Sequence, residues 1–198
     1  MAPRIGILAL QGAFAAHREA LSELGAECRL VRLPEHLSGL DGLVIPGGES
    51  TTMSNLVQSS GLTDPLRTAL DEGLPVFGTC AGMILLASRI EDGRDDQIHL
   101  DAMSLSVRRN AYGRQVDSFE TDLDIDGLDG EFHAVFIRAP LVTSMGPEVR
   151  VLATHGDHAV LVAEGNRMAC SFHPELTADR RVHRLFLDHL SASIPLTR

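Results

Sequence analysis

The chain has no tryptophan and one tyrosine, and aromatic residues make up only 4% of it. A core must then be built from Leu, Val, Ile and Ala. Basic residues are also scarce: 17 Lys and Arg stand against 27 Asp and Glu, a net charge of -10. That balance argues against nucleic acid, which selects basic patches, and against an anionic membrane surface. A small-molecule site is untouched by it, because a local basic pocket can sit in an acidic protein. The three cysteines, Cys28, Cys80 and Cys170, form no C-x-x-C pair. Neither a disulfide framework nor a zinc pattern follows, and the expected compartment is reducing, as the cytoplasm is. No apolar run approaches the ~20 residues of a membrane span, and the stretch Met1 to Leu10 reads as a first strand rather than a signal peptide. What is present suffices for a core: 44% of 198 residues are hydrophobic, the size of one domain over 1–198.

The first half alternates strand and helix patterns. Arg4 to Leu10 is apolar on both faces, as in a parallel sheet. A helix is expected from Ala13 to Leu24, ended by Gly25, then a strand from Glu27 to Leu33 whose Cys28 reads as packing. Leu40 to Ile45 forms a third strand that runs into Pro46-Gly47-Gly48-Glu49-Ser50-Thr51-Thr52. That turn can be a plain strand-to-helix link. Alternatively, its two glycines present backbone N–H groups to a ligand, as oxyanion sites do. Ser50, Thr51 or Thr52 is the expected cap of the next helix. A further helix spans Thr63 to Glu72. The alternation predicts a three-layer αβα sandwich around a mostly parallel sheet, with ligands at the carboxyl ends of the strands.

After the polar break Glu91 to Asp96 the rhythm changes. Strands are expected over Ala102 to Arg108, Ser118 to Leu123, Phe132 to Ile137, Val149 to Thr154, Ala159 to Glu164 and Met168 to Phe172. Few helices separate them, so the second half adds an antiparallel part to the main sheet. His155 and His158 flank a hairpin tip and lack the further donors that a metal would need. The arginines of Arg108-Arg109 and Phe136-Ile137-Arg138 suit either a solvated surface or a substrate carboxylate. A closing helix runs from about Ala178 to Leu190, with His183 and His189 as partly buried structural residues.

The centre of the chain is Gly78-Thr79-Cys80-Ala81-Gly82. An apolar strand, Leu74-Pro75-Val76-Phe77, leads in, and a helical pattern, Met83 to Ala87, leads out. G-x-C-x-G at a strand–turn–helix junction is the thiol counterpart of a nucleophile elbow. It lifts the sulfur above the sheet edge and sets it at the positive end of a helix, where reactive cysteines are found. A thiol nucleophile needs a base, and the base an orienting group. His173-Pro174-Glu175, just past the last strand, supplies both, with Pro174 stiffening the link. Cys170 sits within that strand and reads as core.

Together these motifs resemble the class I triad glutamine amidotransferases, a flavodoxin-like fold, and more narrowly the PdxT/SNO family of glutaminase subunits of pyridoxal 5'-phosphate synthase. The resemblance extends over nearly the whole chain through Leu8-Ala9-Leu10-Gln11-Gly12, the Pro46 to Thr52 block, Asn110-Ala111-Tyr112-Gly113-Arg114-Gln115, Phe136-Ile137-Arg138-Ala139-Pro140 and His173-Pro174-Glu175-Leu176. One departure is Ala16, before His17, where relatives often carry Glu. The resemblance implies L-glutamine as substrate, Cys80, His173 and Glu175 as catalytic residues, and an oxyanion site made by Gly47, Gly48 and Ala81. It implies that Gly48, Glu49, Ser50, Arg109, Ile137 and Arg138 bind the amino-acid end of glutamine, with an arginine for the α-carboxylate and Glu49 for the α-ammonium. It also implies that Gln11 lies at an activating interface, and that ammonia passes to a barrel-shaped synthase subunit in a hetero-oligomer. The chain itself would hold no cofactor and no metal.

Three rival readings differ in what they predict. A glutaminase serving another acceptor synthase would share the chemistry but bind another partner. A cysteine hydrolase or thiol protein on the same fold would need no Gly-Gly-Glu turn. A non-catalytic interaction subunit would not need Cys80, His173 and Glu175 together.

Overall fold

The computed structural model describes residues 1–94, 96–109 and 118–192. Its elements in chain order are β1 (Arg4–Leu8), α1 (Phe14–Glu23), β2 (Glu27–Val31), β3 (Gly42–Ile45), α2 (Ser50–Ser59), α3 (Thr63–Asp71), β4 (Val76–Thr79) and α4 (Ala81–Leu86). There follow β5 (Ala87–Ile90), β6 (Met103–Arg108), β7 (Ser118–Leu123), β8 (Phe132–Ile137), β9 (Leu141–Met145), β10 (Arg150–His155), β11 (His158–Glu164), β12 (Arg167–Cys170) and α5 (Arg181–Ala192). Short 3-10 turns occupy Pro34–Leu37 and Pro174–Leu176. No described helix is long and apolar enough to cross a membrane.

The main sheet has seven strands in the order β10-β11-β12-β4-β3-β1-β2. The run β12-β4-β3-β1-β2 is parallel throughout, and β10 and β11 join it antiparallel through β12. The expected parallel sheet with an antiparallel part is therefore present. Only β10 to β12 extend the main sheet, however. β5, β6 and β9 form a separate three-stranded sheet, and β7 pairs with β8 alone.

Pleating sorts the core onto two faces. Within β3, Leu43 and Ile45 point to one face and Val44 to the other, as alternation along a strand requires. The first face is covered by α2, α3, α4 and the β5-β6-β9 sheet, and its cluster is aliphatic and thioether. The second is covered by α1, α5 and the β7-β8 ribbon, and it collects every phenylalanine in the chain, with Phe77, Phe132, Phe136, Phe172 and Phe186 fully buried. The scarcity of rings does not produce an aliphatic core throughout; the few rings are segregated. Each fully buried Phe is worth about 1.5–3 kcal/mol relative to exposure, so this face gains disproportionately from a small number of residues.

Three expected boundaries shift, and one strand is new. The helix after Cys80 stops at Leu86, because Ala87 is extended (φ -60°, ψ 151°) and begins β5. β9 has no sequence signature: a short, mostly exposed run between Pro140 and Gly146 lacks apolar alternation, and its pairing with β6 alone defines it. The predicted strand Met168 to Phe172 ends at Cys170, and α5 starts at Arg181 rather than Ala178.

α4 lies directly on the strands because Gly82 has no side chain. A Cβ there would drive into the Ile45 carbonyl of the buried strand β3. Gly82→Ala should therefore cost about 1–3 kcal/mol of folding stability, the scale of an overpacked core, read as a lower urea midpoint. An unchanged midpoint would mean that α4 can slide.

Candidate active site

Four turns meet at the carboxyl edge of the parallel strands: Gln11-Gly12 after β1, Gly47-Gly48 after β3, Cys80 after β4 and Phe172-His173 after β12. At Cys80 the backbone turns into the left-handed region (φ 49°, ψ -105°), a conformation that non-glycine residues rarely adopt and that costs of order 1–3 kcal/mol. Surrounding contacts hold it there. The Cys80 N–H donates to the Cys170 carbonyl at 2.8 Å, tying the elbow to β12, and Cys80's own carbonyl accepts from Ile84 N at 3.3 Å. A Cβ on Gly78 would lie 2.6 Å from Leu86 and 2.7 Å from the Gly82 carbonyl carbon, so both glycines of the motif are required by close approach. Cys80 is 5% exposed, and its sulfur makes a weak contact to the Ile137 carbonyl at 3.8 Å.

His173 is fixed through its backbone, whose N–H donates to Val135 of β8 at 2.8 Å. Its Nδ1 is 2.8 Å from Glu175 Oε1, and the Cys80 thiol is its other electrostatic neighbour. Burial by itself would lower the His173 pKa; the Cys80 and Glu175 contacts outweigh it and push it up to about 10. Burial likewise would raise Glu175, but the His173 hydrogen bond and the nearby His17 hold it below the usual carboxylate range.

Gly47 is wedged into this arrangement. A Cβ on it would strike the His173 ring and come within 3.2 Å of Cys80 Cβ. A Cβ on Gly48 would meet the Gln11 amide, whose nearest atom is 2.5 Å away. With that amide's nitrogen turned towards the Glu49 carbonyl, Gln11 donates to Glu49 O at 3.1 Å and accepts from Glu49 N at 2.9 Å. Gln11 thus braces the backbone immediately after the Gly47-Gly48 turn. The cap of α2 is neither Ser50, Thr51 nor Thr52. Glu49 folds its carboxylate forward to accept from Thr51 N at 3.0 Å and Thr52 N at 2.7 Å. Burial would raise its pKa, but those N–H groups and the Thr52 hydroxyl bring it to about 2, so Glu49 is an anion at any working pH.

A cavity of about 160 Å³ opens above the sulfur. Cys80, His173 and all six predicted substrate residues (Gly48, Glu49, Ser50, Arg109, Ile137 and Arg138) line it, with Ile84 as an addition that sequence patterning gave no reason to single out. Arg109 comes from the end of β6 and is clamped: Nη1 donates to Thr51 Oγ1 at 2.9 Å, Nη2 to the Asp92 carbonyl at 3.1 Å, and its backbone N–H to Asp92 Oδ1 at 2.7 Å. Arg138 follows β8 in a left-handed conformation (φ 43°). The cavity wall therefore carries two cations, Arg109 and Arg138, and the Glu49 anion. Ala81 is buried at the start of α4, beside the sulfur. The block Asn110-Ala111-Tyr112-Gly113-Arg114-Gln115 lies outside the described residues.

Sequence reasoning passed over His17. It is fully buried beneath Glu175, against His183, which is itself fully rather than partly buried. Among the described residues, no group of three His, Cys, Asp or Glu side chains could hold a metal ion.

A family model described as the SNO glutamine amidotransferase family matches residues 7–192. The chain is 58% identical over 192 residues to the pyridoxal 5'-phosphate synthase subunit PdxT of Mycobacteroides abscessus, covering 97% of this chain and all of that one. It is 53% identical to the subunit of the same name from Streptomyces coelicolor, over 96% of this chain and 95% of the other. Among solved structures, one described as a glutamine amidotransferase superposes with a TM-score of 0.90 at 52% identity, over 94% of this chain and 98% of its own. PurLQS from Thermotoga maritima, at 16% identity, shares the fold with a TM-score of 0.67 over 96% of this chain and all of that one.

The buried ionisable groups fix how stability should vary with pH. Burial holds His183 at about 3, against an ordinary 6.5, and lowers His17 too. The unfolded chain then binds protons that the native state refuses, so stability is complete above about 6.5 and drains as pH falls towards 3. Glu175, lowered, also loses its contribution in acid. His173, raised, contributes fully below its ordinary 6.5 and loses that contribution as pH rises to about 10. Tm should peak near neutrality and fall on both sides, and His183→Gln should flatten the acid limb alone. A flat acid limb in the unaltered protein would contradict the buried neutral pair.

Proposed function

Because the chain belongs to the SNO glutamine amidotransferase family, we propose that its site hydrolyses L-glutamine through a Cys80–His173–Glu175 triad. The chain is the glutaminase of a pyridoxal 5'-phosphate synthase, providing ammonia for pyridoxal 5'-phosphate synthesis. The observation that carries the mechanism is one cavity lined by a cysteine, its histidine partner and a set of fixed charges matching an amino acid.

In this reading Glu49 takes the α-ammonium of glutamine, and Arg109 or Arg138 takes the α-carboxylate. The side-chain amide then lies over the Cys80 sulfur. The thiolate attacks the amide carbon, and the developing oxyanion is met by N–H groups of Ala81 and the Gly47-Gly48 turn, donors worth several kcal/mol, ~3 each. His173, which keeps a proton at neutral pH because its pKa is about 10 in the resting site, gives that proton to the departing nitrogen. Ammonia leaves and a glutamyl thioester remains. Water attacks the thioester while His173 takes a proton from it. Glutamate departs, the sulfur is released from the thioester, and His173 again carries the proton. Glu175 orients the ring and stabilises its charged form.

A synthase subunit receives the ammonia. We take that subunit to be barrel-shaped and the assembly to be a hetero-oligomer. In this reading Gln11, which braces Glu49, passes docking on to the Gly47-Gly48 turn. The three free thiols suit a reducing, cytoplasmic setting.

The deciding assay is ammonia release from L-glutamine with the synthase subunit present. Cys80→Ala should lower the rate at least 10³-fold, the scale of a lost nucleophile. Equal release by the variant, with the complex formed, would end the triad reading. Gln11→Ala should reduce partner-stimulated release more than partner-free release; equal losses would remove Gln11 from activation.

A further inference from the structure

Two buried imidazoles beneath the triad have no part in the chemistry above. His17 of α1 and His183 of α5 are both 0% exposed, on the phenylalanine-bearing face of the sheet, with Phe77 edge-on to His183. His17 Nδ1 lies 2.9 Å from His183 Nε2. Its Nε2 lies 3.4 Å from Glu175 Oε2 and 3.2 Å from Thr79 Oγ1. Glu175 Oε1 is the oxygen that serves His173. Oε2 is buried and makes no standard hydrogen bond, so the His17 nitrogen is the polar group that faces it.

We infer that His17 is a positioning residue for the triad: its Nε2–H faces Glu175 Oε2 and holds the carboxylate with Oε1 towards His173, while His183 fixes His17 in that tautomer. The inference rests on the triad reading given above.

The tautomer follows from donor counting. A carboxylate only accepts, and a neutral imidazole carries one N–H and one lone pair. The nitrogen that faces Glu175 must then be the N–H, because a lone pair there would be repelled, and the same N–H can donate to Thr79 Oγ1 at 3.2 Å. His17 Nδ1 is left to accept, and the N–H it accepts belongs to His183 Nε2. The remaining His183 atom, Nδ1, is a buried lone pair without a partner. The opposite assignment would aim a lone pair at Glu175 and bury an unpaired N–H at His183, the rarer and costlier orphan.

Protonation is settled by the groups that surround the pair. Burial is the largest influence on both rings and lowers both; Glu175 raises each, His173 lowers His17, and His17 and Arg180 lower His183. Both rings are thus neutral where the triad works. A neutral donor suits the position. It orients the carboxylate without supplying a second cation that would compete with His173 for its charge.

The test compares His17→Leu and His17→Gln in the complex with the synthase subunit, alongside the unaltered chain and Cys80→Ala. Leu keeps the bulk and removes the donor; Gln returns an N–H close to the place of Nε2. His17→Leu should lower kcat for ammonia release about 10- to 100-fold, the scale of leaving a buried charged acceptor without the polar group that faces it. KM for L-glutamine should stay within about twofold, because no substrate contact is lost. The acid limb of kcat/KM should move to higher pH, because Glu175 loses a donor to its charged form. His17→Gln should recover most of kcat. Unchanged kcat in His17→Leu, a loss confined to KM, or equal impairment by Gln and Leu would overturn the inference. Ring ¹⁵N spectra of the unaltered chain give a readout independent of turnover and of whether the Leu variant folds. A neutral Nε2–H tautomer at His17 is expected, and an Nδ1–H tautomer or a charged ring would overturn the proposal. Ammonia release by Cys80→Ala would instead sink the triad reading itself.

Discussion

The left-handed backbone at Cys80 is the constraint on which the site depends. A cysteine held at φ 49° is locally unfavourable, and three things over-determine it. Gly78 and Gly82 allow α4 to lie against β3 and β4 without a side chain between them. The Cys80 N–H is committed to β12 through the Cys170 carbonyl. The strands on either side of β4 are fully paired, so the edge from which the elbow rises cannot shift. The strain is borne by the sheet, and in return the sulfur stands beside His173 at the mouth of a cavity rather than inside the core.

The charges around that cavity are arranged by the same economy of backbone. Glu49 caps α2 and forms part of the cavity wall with one carboxylate. Arg109 reaches the cavity from β6 only because Asp92 and Thr51 clamp it. Ile137 and Arg138 arrive from the end of the β7-β8 ribbon, so the second, smaller sheets of the fold are what complete the pocket floored by the main sheet.

The parts of this arrangement legible in the sequence are those written in contiguous residues. Gly-Thr-Cys-Ala-Gly announces an elbow because its glycines answer a local steric demand, and His-Pro-Glu announces an oriented base because its two partners lie within one turn. Alternating strands and helices gave the parallel sheet. What stayed hidden was set by tertiary packing. His17 and His183 are 166 residues apart, and nothing in either helix pattern marks them as partners. The cap of α2 was misassigned because preference favours Ser and Thr, whereas Glu49 needs an extended backbone to fold its longer side chain forward. The segregation of phenylalanine to one face was not visible, since period-two patterning tells that residues alternate and not which side meets which layer.

β12 has a consequence for the order in which this molecule becomes complete. It is the last strand among the described residues, yet it sits inside the sheet, between β4 and β11. Until it is synthesised and inserted, the β10-β11 hairpin has no neighbour in the sheet, and the Cys80 N–H has no carbonyl to bind. The same insertion delivers His173 and Glu175 to the thiol. A chain emerging from the ribosome therefore carries its nucleophile for nearly half of its synthesis without the base that pairs with it. Closing the sheet and arming the sulfur are a single folding event, one that depends on contacts of long sequence separation and so comes late.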